Sequence, residues 1–137
     1  MIPKELSINK ISEIYKLLKP YVNITPLNKA NDKVDHYFNT KIFFKNEFLQ
    51  KSGSFKVRGA INNVLSFDKK KYSNGITAVS AGNHAIATCY VANIFKIKNK
   101  IFLYNSANKY RRKICENLNA NIKYTKPEEG FKNVSLA

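Results

Sequence analysis

The stretch ITAVSAGNHAIATCYVANIF, Ile76 to Phe95, decides how this 137-residue chain folds. ITAVSA is a short run of apolar and β-branched residues, the composition of a strand buried on both faces. Gly82 breaks the run, and from Asn83 to about Phe95 the residues are mostly apolar and read as a helix. Downstream, KIFLY (Lys100–Tyr104) reads as a second strand. Tyr110, Ile114, Cys115 and Leu118 mark one face of a further helix, NIKYT (Asn121–Thr125) is a third strand, and KPEEGFKNVSLA opens as a helix. Strand, helix, strand, helix, strand at these lengths predicts βαβ units and a parallel, three-layer α/β arrangement. Ligands of such sheets sit at loops on the carboxyl ends of the strands, and SAGNHA, Ser80–Ala85, occupies one.

Upstream of this block, Ser7 is placed to cap a helix in which Ile8, Ile11, Tyr15 and Leu18 recur at helical spacing until Pro20 ends it. YVNITPL is extended chain with a turn at Pro26, and the start of KIFFKNEFLQ predicts a strand around Ile42–Phe44. KSGSFKVRGA, Lys51–Ala60, comes next, and Ala60, Ile61, Val64 and Leu65 form an apolar helical stripe after it. A loop rich in Lys, Ser, Asn and Gly (KKKYSNG) separates the two blocks.

Composition narrows the function. A hydrophobic share of 44% with 12% aromatic residues is that of a globular protein. No apolar run approaches a membrane span, and the charged start MIPKELSINK lacks a secretory core, so the reading is cytoplasmic. The formal charge of +15 invites a nucleic-acid reading, but only Arg58, Arg111 and Arg112 are arginine. Lysines spread along every segment make a solvated surface, whereas base-reading sites favour the arginine fork, so no nucleic-acid partner is expected. Cys89 and Cys115 lack C-x-x-C spacing, and neither they nor His36 and His84 form a metal set; two buried thiols are expected.

NEFLQKSGSFKVRGA and AVSAGNHA, in this order and separation, together with TPL at Thr25–Leu27, resemble the pyridoxal-phosphate enzymes of the tryptophan-synthase-β fold. The chain is most similar to the serine/threonine dehydratases and the related serine racemases, through the N-terminal part of such proteins. Val57 and Arg58 follow the lysine where cysteine and threonine synthases typically carry an acidic residue, which favours the dehydratase branch. The resemblance implies that residues 1–70 belong to the large cofactor domain and 71–137 to the small substrate domain. It implies that Lys56 forms the Schiff base with pyridoxal 5'-phosphate, with Phe55 against the cofactor ring. That chemistry asks for a lysine able to lose its proton, which burial beside an aromatic ring favours, and Gly53 and Ser54 would turn the backbone so that Lys56 points into a cleft. Ser80, Ala81, Gly82, Asn83 and His84 would wrap the substrate carboxylate at a helix N-terminus, and Asn83 would also hydrogen-bond the ring hydroxyl of the cofactor. Read locally, Asn83 is also placed to cap the helix, and Glu47 looks like a structural residue at a strand end.

The implied reaction is elimination: Lys56 takes the α-proton, and loss of the β-hydroxyl from serine or threonine ends in a 2-oxo acid and ammonia. The five glycines, Gly53, Gly59, Gly75, Gly82 and Gly130, include no adjacent pair, so the family's glycine-rich phosphate loop is absent. The expectation is an incomplete dehydratase, inactive by itself and homo-oligomeric when complete. The competing readings are a non-catalytic α/β module, a serine racemase and a basic nucleic-acid binder.

Overall fold

The computed structural model describes residues 7–135. Most of the charged amino-terminal segment read against a secretory signal lies outside these residues. Helix α4 (Asn83–Phe95) organises the fold because it is apolar around nearly its whole circumference. Ala85, Ile86 and Cys89 face the parallel sheet, while Ala87 and Val91 face the helices of the preceding block.

Three short strands, β3 (Ile76–Val79), β4 (Asn99–Tyr104) and β5 (Ile122–Thr125), form a parallel sheet in the order β3-β4-β5. Ala78 pairs with Ile101, and Leu103 pairs with Tyr124. Side chains alternate along β4. Ile101 and Leu103, both fully buried, join Ala78 under α4 and α5 (Lys109–Asn117). On the opposite face lies α6 (Pro127–Ser135), where Gly130 meets Val79 and Tyr104. A Cβ at Gly130 would stand 2.7 Å from a Val79 methyl and 3.0 Å from the Tyr104 ring, so glycine is what lets this helix close on the sheet. The three predicted layers are present, with Cys89 and Cys115 buried between α4 and α5 as unpaired thiols.

The first block is helical where the stripe was read. Ser7 Oγ accepts from Lys10 N–H at 3.3 Å and caps α1 (Ile8–Leu18). Leu18 and Val22 pack with Val57, Ile61 and Val64 of α3 (Lys56–Ser66) against α4. The expected strand is β2 (Phe43–Lys45), antiparallel to β1 (Leu27–Lys29). Between them lies α2 (Asp32–Phe38), which the sequence reading did not anticipate. Asn31 Oδ1 caps it by accepting from Val34 N–H at 3.0 Å. None of its residues is buried, so it leaves no apolar periodicity to read. Among the described residues no helix is long and apolar enough to cross a membrane, and no three potential metal ligands cluster.

Candidate active site

Lys56 is the first residue of α3 and stands at the end of a turn that Gly53 makes possible. Gly53 has φ +69°, the left-handed region that glycine enters without strain, and its N–H closes the turn on Gln50 O at 2.7 Å. Ser54, two residues before Lys56, is buried, and its hydroxyl has no hydrogen-bond partner in the chain. Lys56 Nζ lies over the Phe55 ring, 4.9 Å from its centroid, and that ring is 58% exposed. The expectation that Lys56 is buried in a cleft does not hold for this chain. Its side chain is exposed, because no described residue covers the start of α3 on that side.

The second motif sits at the carboxyl end of β3. Ser80 Oγ accepts from Gly82 N–H at 3.1 Å, so the hydroxyl holds the turn in shape. Asn83 is not the helix cap. That place belongs to Gly82, with no side-chain hydrogen bond, and Asn83 begins α4 exposed to solvent. The first amides of α4 therefore have no capping side chain at the positive end of the helix dipole, an arrangement suited to an anion.

The two motifs come together at one cavity, lined by Lys51, Ser52 and Gly53 from the first and Asn83 from the second. The His84 imidazole is held below its ordinary value first by desolvation and then by the charge of Lys56. Arg111, from α5, lies against the same turn: a Cβ at Gly82 would be 3.4 Å from its guanidinium. With Lys51, Ser52 and Asn83, Arg111 also lines a cavity of about 600 Å³. Nothing local to α5 marks Arg111 in the sequence; only the packing of α5 on α4 brings it to the turn. A second cavity of about 530 Å³ runs between α3 and α4, past His84, Thr88 and Asn63.

Glu47 has more to do than end a strand. It stands in a 3-10 turn (Glu47–Leu49) just after β2 and accepts from Arg58 Nε and Nη2, each at 2.8 Å, and from Thr25 Oγ1 at 2.6 Å. The Arg58 hydrogen bond, supported by that of Thr25, prevails over burial and holds the carboxyl down at about 2. The same pairing raises the Arg58 guanidinium further.

An exposed amine beside an exposed aromatic ring, an unpartnered hydroxyl nearby and an uncapped helix start fit an aldehyde cofactor and an amino-acid carboxylate. Residues 18–135 match the family model described as pyridoxal-phosphate dependent enzyme. The chain is 35% identical over 115 residues to a phenylserine dehydratase of Ralstonia pickettii, covering 84% of this chain and 35% of that protein. It is 40% identical over 102 residues to a biosynthetic L-threonine dehydratase of Staphylococcus saprophyticus, covering 72% of this chain and 23% of that one. The structure of maize serine racemase superposes with a TM-score of 0.85 at 29% identity, over 95% of this chain and 40% of the racemase. The chain thus spans about a third or less of the length of these two dehydratases. With the fold of these enzymes, and a lysine-bearing turn and an uncapped helix start at one cavity, this chain belongs to the pyridoxal-phosphate-dependent enzyme family.

Proposed function

We propose that this chain supplies the amine and the carboxylate-binding turn of a site that converts L-serine or L-threonine to a 2-oxo acid and ammonia, the β-hydroxyl leaving as water and one water returning on hydrolysis of the imine. The observation that carries this reading is the shared cavity that brings the Lys51–Gly53 turn, just before Lys56 and α3, to Asn83 at the uncapped start of α4. The names of the two dehydratases support elimination, although the racemase shares the fold.

Each residue then has a task. Lys56 would hold the cofactor through its amine, with Phe55 as a wall for the ring and Asn83 within reach of a ring substituent. The amides of Asn83 and His84, within the Ser80–His84 turn, would bind the substrate carboxylate, which would fix the Cα–H bond relative to the Lys56 side chain. Pyridoxal phosphate, when bound, supplies an electron-accepting ring that lowers the barrier to loss of the α-proton. The Lys56 amine would take that proton as general base on its own face. Ala81 has no proton to give on the other face, which favours elimination over racemisation.

The phosphate is the part these residues do not provide. A dianion held by several N–H groups gains charge-assisted hydrogen bonds of roughly 1.5–3 kcal/mol each. Losing two weakens retention by at least about a hundredfold. The purified chain mixed with pyridoxal phosphate should therefore show weak, non-saturating visible absorbance and no steady 2-oxo acid formation from serine or threonine. Lys56→Ala should remove the part of the absorbance that this residue carries. Sustained turnover would refute the half-site reading, and absorbance unchanged in Lys56→Ala would refute the role of the lysine.

A further inference from the structure

We propose that Thr25, Glu47 and Arg58 form a positioning clamp that aims the Lys56 side chain. The proposal rests on the reading of Lys56 as the cofactor-holding residue.

Arg58 is the third residue of α3, inside the first turn, where the helix dipole disfavours a cation. No side chain caps this helix: Phe55 occupies the cap position without a hydrogen bond. Glu47 reverses the penalty by accepting from two guanidinium nitrogens at once, the planar pairing that lysine cannot reproduce. Its carboxylate also accepts from Thr25 Oγ1, so three segments distant in sequence converge on one group. The anchor they form is itself braced. Gln50 accepts from Asn23 N–H at 2.7 Å and donates to Asn23 O at 2.9 Å, tying the chain before Thr25 to the chain after Glu47. Lys45 Nζ donates to Thr25 O at 2.7 Å.

Successive helix residues project about 100° apart, since 3.6 make a turn. Val57 projects into the core, fully buried, and Arg58 projects into the clamp. With two of the three directions fixed, the rotation of the turn is fixed, and so is the direction in which Lys56 leaves it. An exposed lysine at a frayed helix start would otherwise sample many directions.

The test is the distribution of label after pyridoxal phosphate and borohydride, read by peptide mass spectrometry as the share on Lys56 relative to all other lysines. Glu47→Ala should lower that share about tenfold, short of the roughly hundredfold that a misplacement of ~1 Å inflicts on a reaction. Thr25→Val, which removes one hydrogen bond, should lower it less and leave the far-ultraviolet circular dichroism unchanged. Exchange of the pair, Glu47→Arg with Arg58→Glu, should restore the share. An unchanged share in both Glu47→Ala and Thr25→Val would overturn the clamp. So would an exchanged pair that folds without restoring the share, since that is the mark of a merely structural role. Should Glu47→Ala unfold, Thr25→Val and the exchange decide. Wild-type label that avoids Lys56 would instead overturn the cofactor reading, a result distinct from failure of the clamp alone.

Discussion

Acid should weaken this chain through one carboxylate, and Glu47→Gln isolates the effect. The Glu47 carboxyl is carried from an ordinary 4.5 to about 2, chiefly by its hydrogen bonds to Arg58. A group moved that far contributes at most about 3 kcal/mol to the folded state. The pair keeps contact with water, with 16% of the Glu47 side chain and 25% of the Arg58 side chain exposed, so screening reduces this to about 2 kcal/mol. The sign follows from the direction. A carboxyl depressed on folding stabilises fully above its unfolded value, and the contribution disappears as the pH falls from about 4.5 through about 2. At pH 7, Glu47→Gln should therefore lower the thermal midpoint by roughly 6–10 °C for a domain of this size. The gap from wild type should close steadily between pH 4.5 and the acid limit of folding. Thermal melts followed by circular dichroism at pH 7, 5, 4 and 3 measure both curves. A gap that is absent at pH 7, or that persists undiminished at pH 3, would show that the pair does not stabilise as its geometry requires.

Three further outcomes follow from the packing and the turn. Leu103→Ala opens a cavity in a fully buried site and should cost about 2–5 kcal/mol by denaturant titration; a loss under 1 kcal/mol would mean that the core around β4 is not closely packed. Gly130→Ala pushes a methyl into Val79 and Tyr104 and should destabilise by about 1–3 kcal/mol despite alanine's better helix propensity; stabilisation would contradict the close approach of α6. In an assembled, active site, pyruvate from L-serine should far exceed D-serine because of Ala81, and Ala81→Ser should raise the D-serine share; comparable rates in the unaltered enzyme would refute the one-sided proton chemistry.

The parallel sheet was legible because each of its elements carries its own signal. ITAV, KIFLY and NIKYT are strands by composition, and Gly82 marks the turn into an all-round apolar helix. Boundaries slipped where pairing sets the ends: β2 begins at Phe43 instead of Ile42, because its register is fixed by Leu27–Lys29. Helix α2 was illegible for the opposite reason, since a helix that buries nothing has no stripe. At the site, the glycine turn before Lys56 and the turn before α4 both lay in the local sequence. Arg111 beside Gly82 and the bond of Arg58 to Glu47 join residues from separate elements, and no local pattern encodes those meetings. The exposure of Lys56 was missed because burial is decided by what packs over a turn, and the turn's own residues do not specify it.

The central claim is that one lysine among twenty-one is the attachment point for pyridoxal phosphate. Borohydride reduction in a context that binds the cofactor, followed by proteolysis and peptide mapping, tests it most directly, because it reads the site of attachment without requiring turnover. The account predicts pyridoxyl concentrated on the peptide carrying Lys56. Label concentrated on Lys51, or spread evenly over the surface lysines, would contradict it.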